Sequence, residues 1–150
     1  MKAATDEKHG ATDYNGDGTA QDVMKWALDR FHPRIAVAAS LQDSILIHMA
    51  MSIRKDARVF SIDTGRLPEE AYACADQIRR KLGAHIEWYF PRHDLVEKLV
   101  NEKGAYSFRD SVENRRECCF VRKVEPLNRA LAGLDAWKTG LLKEESVTRN

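Results

Sequence analysis

Two adjacent cysteines in a basic stretch are the residues of this sequence best suited to chemistry. Four cations flank Cys118 and Cys119: Arg115, Arg116, Arg122 and Lys123. Neighbouring cations favour the thiolate, which is the nucleophilic and metal-binding form of cysteine. In a reducing compartment, close cysteines are more often metal ligands or redox groups than disulfides. The pair therefore predicts a metal or redox site, and two cysteines packed against a helix core remain the alternative.

The third cysteine, Cys74, has a different pattern around it. It shares a helical phase with four apolar residues: Ala71, Ala75, Ile78 and Leu82. A cysteine in such a stripe is typically a small buried core residue. We therefore expect Cys74 to be structural.

Two short polar segments could hold an anion. Ser40 opens the first, Ser40-Leu41-Gln42-Asp43-Ser44, where hydroxyls and backbone N–H groups precede a helix. The second is Asp63-Thr64-Gly65-Arg66-Leu67-Pro68, in which Gly65 permits a close backbone approach and Pro68 suits a helix start. Each segment alone is a weak signal, and a serine-rich turn before a helix is more often an ordinary helix cap.

Short apolar runs alternate with longer amphipathic ones along the chain. This alternation shows where the two polar segments lie relative to the predicted strands and helices. A helix is predicted over 20–31. Three pairs of a predicted strand and a predicted helix follow: 35–39 with 43–54, 59–62 with 69–82, and 86–90 with 94–102. Such a pattern indicates an α/β fold, with a parallel sheet covered by helices on both faces. A polar loop over 104–116, a helix over 117–132 and a strand over 136–139 are predicted next. Ligands of such sheets bind at the carboxyl ends of the strands, where both polar segments lie.

The N-terminal residues are polar and show almost no apolar periodicity, so we expect 1–18 to be a flexible arm and 19–150 to be one domain. The segment 13–18 matches the opening of a calcium loop, but the twelfth position is Met24 rather than glutamate. A turn leading into a helix, with Thr19 as N-cap and Asp22 as its capping-box partner, is the favoured interpretation.

Composition limits the classes of function. The 150 residues carry 24 Lys and Arg against 23 Asp and Glu, which argues against a general nucleic-acid binder. No apolar run is long enough for a membrane span or a signal peptide, so we expect a cytoplasmic protein without membrane association.

Longer blocks of the sequence resemble the sulfonucleotide reductases, and within them the bacterial adenylyl-sulfate reductases that carry an iron–sulfur cluster. The resemblance runs from about Met24 to Arg149. Its blocks are 31–36, 63–70, 118–127, 129–137, 139–140 and 146–149. The tandem cysteine followed by Arg-Lys-Val-Glu-Pro-Leu is typical of the cluster-bearing branch, which generally uses adenylyl sulfate rather than its 3′-phosphorylated form.

The resemblance implies an adenine nucleotide alpha hydrolase-like (Rossmann-like) sheet and a two-step reaction. An enzyme thiolate attacks the sulfate sulfur and releases AMP, and thioredoxin then frees sulfite from the sulfonated cysteine. The implied substrate-binding residues are Ser40, Asp63, Thr64, Gly65, Arg66, Lys123, Gly140 and Arg149. Cys118 and Cys119 are implied as two of the four ligands of a 4Fe-4S cluster.

This sequence departs from that family in three places. A Cys-x-x-Cys pair and the C-terminal Glu-Cys-Gly-Leu-His segment with the nucleophile do not occur, so we expect an N-terminal part of a reductase, incomplete at the C-terminal end of the sheet and without a catalytic cysteine. The loop after Ser40 is about two residues shorter than in the family. Leu142, Lys143 and Glu145 replace the usual Arg, Arg and Gln.

Two other functions and the oligomeric state stay open. An ATP pyrophosphatase-type adenylating enzyme uses a Ser-Gly-Gly-x-Asp-Ser loop, of which only the ends remain here. An inactive nucleotide-binding or assembly fragment is the non-enzymatic alternative. A homo-oligomer is compatible with the sequence.

Overall fold

The structure is a computed structural model that describes residues 18–40 and 44–140. Its helices are α1 (Ala20–Phe31), α2 (Ile45–Ile53), α3 (Glu69–Leu82), α4 (His93–Lys103), α5 (Val112–Cys119) and α6 (Glu125–Leu131), and its strands are β1 (Ile35–Ala38), β2 (Arg58–Ile62), β3 (Ile86–Tyr89) and β4 (Ala136–Thr139). A 3₁₀ turn, Ser107–Arg109, precedes α5, and a π-helical turn, Phe120–Val124, joins α5 to α6. The alternation of strands and helices confirms the predicted α/β fold.

The four strands form one parallel sheet in the order β3-β2-β1-β4. The chain steps outward from β1 to β2 and β3, and then returns to the opposite side of β1. Ala38 of β1 pairs with Thr139 of β4, so these two strands end at the same level. A reversal of strand order of this kind opens a crevice at the carboxyl edge of the sheet, where ligands bind in doubly wound folds.

Two buried clusters cover the two faces of the sheet. On one face, Val37 and Val59 pack with Met24 of α1, Ile47 of α2 and Ile78 of α3. On the other face, the buried residues are Ala36, Phe60 and Ala130, the last of them from α6. Helices therefore lie on both faces, as the short continuous apolar strands predict.

The start of α1 confirms the predicted capping box. The Thr19 hydroxyl accepts a hydrogen bond from the Asp22 amide at 3.2 Å, and the Asp22 carboxylate accepts from the Thr19 amide at 2.8 Å. These bonds satisfy two N–H groups that the first helical turn leaves without partners.

The polar loop predicted over 104–116 and the helix start predicted near Glu117 are wrong. The helix α5 begins at Val112, and the Ser111 hydroxyl caps it by accepting from the Asn114 amide at 3.1 Å. Helix α5 has no buried residue. It therefore lacks the apolar periodicity by which a helix is recognised in sequence, although glutamate and arginine are good helix formers.

Several expectations concern residues outside the described ranges. They are the arm through residue 17, most of the calcium-like segment, the shortened loop over 41–43, and the positions 142, 143, 145 and Arg149. Among the described residues, no helix is long and apolar enough to cross a membrane.

Candidate functional site

The carboxyl edge of the sheet brings together residues that lie 100 positions apart in sequence. Ser40 follows β1 and Gly140 follows β4, and both are exposed. Because Ala38 and Thr139 are register partners, Ser40 and Gly140 leave neighbouring strands at the same edge. Two of the predicted substrate-binding residues thus lie on either side of the reversal of strand order.

The turn after β2 is held by the side chain of Asp63. Asp63 is only 5% exposed. Its Oδ1 accepts from the Gly65 amide at 2.7 Å, and its Oδ2 accepts from the Tyr72 hydroxyl at 2.8 Å. The Asp63 amide donates to the Tyr89 carbonyl of β3 at 3.0 Å. Both carboxylate oxygens are thus engaged in shaping the turn, which presents the backbone of 64–66 at the sheet edge.

The close approach predicted at Gly65 is made by an arginine of the same chain. The Nη1 of Arg122 donates to the Thr64 carbonyl at 2.9 Å. Gly65 has a φ of +71°, and a Cβ added there would lie 3.0 Å from that same Nη1. Glycine is therefore required both by the left-handed backbone and by the guanidinium beside it.

Arg66 points into a cluster of aromatic and cationic side chains on the segment before α5. Its guanidinium donates to the Ala105 carbonyl. It also lies 5.5 Å from the ring centroid of Tyr106 and 5.0 Å from that of Phe108. The guanidinium of Arg109 lies 4.6 Å from the Tyr106 ring. Cation–π contacts of this kind order arginines without neutralising their charge, so the edge of the site keeps its positive charge.

The tandem cysteines end α5, directly before the π-helical turn that carries Arg122 and Lys123. Cys118 is half-buried, Cys119 is exposed, and both are free thiols. Lys123 is exposed and makes no ion pair with any residue in 18–40 or 44–140. One short stretch of chain therefore presents two thiols, a fixed guanidinium and a free ammonium group.

The two thiols fit part of the iron–sulfur cluster that the sequence led us to expect. Such a cluster takes thiolate ligands, usually four for the 4Fe-4S kind. Within the described part of the chain, no group of three or more Cys, His, Asp or Glu residues could hold a metal ion. Cys118 and Cys119 thus have the donor type that such a cluster takes.

Cys74 lies apart from these residues. It is half-buried and packs against the core cluster on the α1–α3 face, which is the structural placement its phase predicts. It also lines a groove of about 340 Å³ between α2 and α3, together with His48 and Lys81. None of the predicted substrate-binding residues within 18–40 and 44–140 lines this groove.

Three contributors to the site were not predicted from sequence. Tyr72 fixes Asp63, Arg122 fixes the turn at Gly65, and the Tyr106–Arg109 segment holds Arg66. Arg122 stands in the basic stretch around the cysteines, but its contact with residue 64 depends on the π-helical turn, for which the sequence gives no periodic signal. Lys138 on β4 is half-buried, and burial lowers the pKa of its ammonium group.

Comparison with known proteins relates this chain to one family. The model of the phosphoadenosine phosphosulfate reductase domain matches residues 32–150. The adenosine 5′-phosphosulfate reductase of Burkholderia cepacia is 44% identical over 130 residues, which cover 85% of this chain and 52% of that protein. The enzyme of the same name from Pseudomonas aeruginosa is 42% identical over 132 residues, which cover 87% of this chain and 48% of that protein. The chain spans about half the length of these curated relatives.

A solved structure agrees on the fold. The crystal structure of phosphoadenylyl-sulfate (PAPS) reductase from Candida auris, a phosphate complex, superposes with a TM-score of 0.68 at 23% identity, covering 83% of this chain and 62% of that one. The sequence matches favour the reductase interpretation over the ATP pyrophosphatase alternative. The matched domain extends over most of the described structure and includes the Asp63 turn, the tandem cysteines and Gly140, and the chain belongs to the phosphoadenosine phosphosulfate reductase domain family.

Proposed function

We propose that this chain is the nucleotide-binding part of an adenylyl-sulfate reductase, with phosphoadenylyl sulfate as the alternative substrate. In the reaction, a cysteine thiolate attacks the sulfate sulfur, the S–O bond to the nucleotide breaks, and AMP leaves. A thioredoxin dithiol then reduces the cysteine S-sulfonate, which releases sulfite and leaves thioredoxin as a disulfide. The observation that supports this most is the reversal of strand order between β1 and β4, with Ser40 and Gly140 on its two sides.

The nucleotide would be held mainly by backbone groups at the sheet edge. Asp63 has no free carboxylate oxygen, since the Gly65 amide and the Tyr72 hydroxyl use both. Its proposed role is therefore to hold Thr64, Gly65 and Arg66 in place, while Ser40 and Gly140 line the other wall. Arg149 belongs to the proposed substrate pocket but lies outside the described residues.

Lys123 is the residue proposed to meet the negative charge of the phosphosulfate. It follows Arg122 on the π-helical turn, is exposed, and has no carboxylate partner among the described residues. A free ammonium group can stabilise the charge that builds up on the leaving phosphate. Its position four residues after Cys119 also keeps it close in sequence to the thiols.

Cys118 and Cys119 are proposed as two ligands of a 4Fe-4S cluster. When bound, the cluster would supply a large local charge that changes the electrostatics of neighbouring cations. The remaining ligands and the nucleophilic cysteine would come from a further polypeptide segment. We propose a cytoplasmic location, because the reducing cytoplasm keeps cysteines as the thiols that this site requires.

Calorimetric titration tests the proposal with four nucleotides: AMP, adenylyl sulfate, phosphoadenylyl sulfate and ATP with Mg²⁺. We expect AMP and adenylyl sulfate to bind more tightly than ATP. Lys123→Gln should weaken binding of adenylyl sulfate more than binding of AMP, because the sulfate group, which AMP lacks, is what Lys123 is proposed to meet. Lys98→Gln, an exposed cation on α4 without an ion pair among the described residues, is the matched control and should change neither.

The remaining outcomes separate the alternatives. Tighter binding of Mg²⁺-ATP would favour an adenylating enzyme of the pyrophosphatase type. Binding of AMP, without sulfite production when the C-terminal half of a relative and thioredoxin are supplied, would favour a nucleotide-binding or assembly fragment. A chain that binds none of the four nucleotides contradicts the proposal.

A further inference from the structure

Arg122, on the π-helical turn that follows the cysteine-bearing helix, contacts the turn after β2. We propose that Arg122 is a positioning residue that couples the chemical state of Cys118 and Cys119 to nucleotide affinity at the Thr64–Gly65 turn. This inference rests on the proposed function, because it assumes that the turn belongs to the nucleotide site.

The turn is held from two opposite sides. From the strand side, the Asp63 carboxylate accepts from the Gly65 amide at 2.7 Å and anchors itself on Tyr72 at 2.8 Å. From the helix side, Nη1 of Arg122 donates to the Thr64 carbonyl at 2.9 Å. The peptide group between residues 64 and 65 is therefore fixed at both its carbonyl and its amide end, and only the Arg122 contact reaches the cysteine segment.

The guanidinium of Arg122 has little freedom to move independently. Its Nη1 occupies the space that a Cβ at Gly65 would need, at 3.0 Å. Its Nε is buried and has no hydrogen-bond partner in the described structure. The bond to the Thr64 carbonyl and the buried position of Nε restrict the side chain, so we expect a displacement of the π-helical turn to move the guanidinium with it.

The cysteines lie where such a displacement would begin. Cys119 is the last residue of α5, and the π-helical turn with Arg122 starts at the next residue. Single π-helical turns within α-helices frequently mark functional sites. A bulky group added to the half-buried Cys118 would press on this junction, and we expect the shift to reach the Thr64 carbonyl through the Arg122 side chain. Because linkage between equilibria is reciprocal, nucleotide binding must then alter the equilibrium constant of a reversible modification of these thiols by the same factor.

The first experiment tests the positioning role without any ligand. NMR measures exchange of the Gly65 and Arg66 amide protons with water in the full chain, in Arg122→Gln, in Arg122→Lys and in the control Lys98→Gln. We expect about tenfold faster exchange at Gly65 in Arg122→Gln, partial rescue in Arg122→Lys, and no change in the control, while unfolding by urea reports global stability separately. Unchanged Gly65 exchange in Arg122→Gln overturns the proposal.

The second experiment tests the coupling. In a Cys74→Ser background, the remaining thiols are alkylated with N-ethylmaleimide, and AMP affinity is measured before and after. We expect alkylation to weaken AMP binding at least threefold when Arg122 is present, and to leave the affinity unchanged when Arg122→Gln is added. An equal effect of alkylation in both backgrounds overturns the coupling.

The two experiments also separate this inference from the proposed function. If the unmodified chain binds AMP but alkylation has no effect, the coupling is wrong and the proposed function stands. If no form binds AMP, the proposed function fails and the coupling fails with it. In that case the amide exchange rates still decide whether Arg122 holds the turn.

Discussion

The Tyr72 hydroxyl donates a 2.8 Å hydrogen bond to the buried carboxylate of Asp63, and so ties the first turn of α3 to the carboxyl end of β2. Ionisation of Tyr72 would place a phenolate against that carboxylate. The hydrogen bond to Asp63 therefore raises the pKa of Tyr72 above its ordinary value near 10. The same bond leaves the second carboxylate oxygen free to hold the Gly65 amide.

The first prediction concerns the pH dependence of this bond. A raised pKa means that the stabilisation is fully present below the ordinary tyrosine pKa and is lost as pH rises through the raised value. In an alkaline titration followed by phenolate absorbance, we expect one late transition that is missing in Tyr72→Phe. Tyr106→Phe, which also removes one exposed tyrosine, should retain the late transition. A late transition that persists in Tyr72→Phe would contradict the prediction.

The sequence predicts those parts of the structure that depend on local pattern. Apolar alternation is sufficient for the parallel sheet, because only a strand covered on both faces is continuously apolar. Likewise, the ends of parallel strands share one edge, which is enough to place Ser40 and Gly140 on the same edge. That the two residues are neighbours depends on the pairing of β1 with β4, which the sequence pattern does not specify. Helix α5 could not be recognised in this way, because no buried face marks it. Arg122 was missed because its partner Thr64 lies 58 residues away and is reached only through a π-helical turn.

The second prediction concerns the ion pair between β2 and β3. Arg58 donates to both carboxylate oxygens of Glu87, at 2.6 and 2.9 Å. These bonds hold the pKa of Glu87 below its ordinary value, so their contribution is present above the ordinary glutamate pKa and is lost as pH falls through the lowered one. The two side chains are 39% and 27% exposed, which reduces the effect through solvent screening. We expect Glu87→Gln to cost about 1 kcal/mol of unfolding free energy at pH 7.

Urea unfolding measured from pH 7 down to acidic pH checks this second prediction. The difference between the parent chain and Glu87→Gln should shrink as Glu87 becomes protonated. Asp29→Asn breaks a more exposed pair, Lys25–Asp29, whose side chains are 65% and 51% exposed, and should cost less than about 0.5 kcal/mol. A difference between the parent and Glu87→Gln that does not vary with pH would contradict the assignment.

The third prediction concerns the order in which the thiols react. Cys119 is exposed, whereas Cys118 and Cys74 are half-buried and Cys74 packs against the core. Under anaerobic conditions, iodoacetamide should therefore modify Cys119 first and Cys74 last, as followed by mass spectrometry of peptides. Modification of Cys74 before the tandem pair would show that its packing against the core is not maintained in solution.

The fourth prediction concerns the iron–sulfur cluster. Two protein thiolates leave half the ligand positions of a 4Fe-4S cluster to solvent or small thiols. We therefore expect anaerobic reconstitution to give no stable cluster on the chain alone, and to succeed when the C-terminal half of a relative is supplied. Cys118→Ser and Cys119→Ser should each abolish it, and Cys74→Ser should not. The visible absorbance and the iron content of the desalted protein measure the outcome, and a stable cluster on the chain alone would refute the ligand assignment.

The fifth prediction separates two reasons for glycine at residue 65. Gly65 and Gly83 have similar left-handed backbones, with φ of +71° and +65°, but a Cβ at Gly83 would meet nothing within 4 Å. Gly83→Ala should therefore cost only the backbone strain, about 1 kcal/mol. Gly65→Ala should cost about 1 kcal/mol more, because its Cβ lies against the Arg122 guanidinium, whose bond to the Thr64 carbonyl must lengthen.

A double-mutant cycle in urea unfolding tests this second cost. In an Arg122→Ala background, the added methyl group has no guanidinium to displace, so Gly65→Ala should cost no more than Gly83→Ala does. The Gly83→Ala cost should be the same in both backgrounds, which controls for a general loss of stability. If Gly65→Ala costs equally much with and without Arg122, the requirement for glycine at residue 65 comes from the backbone alone.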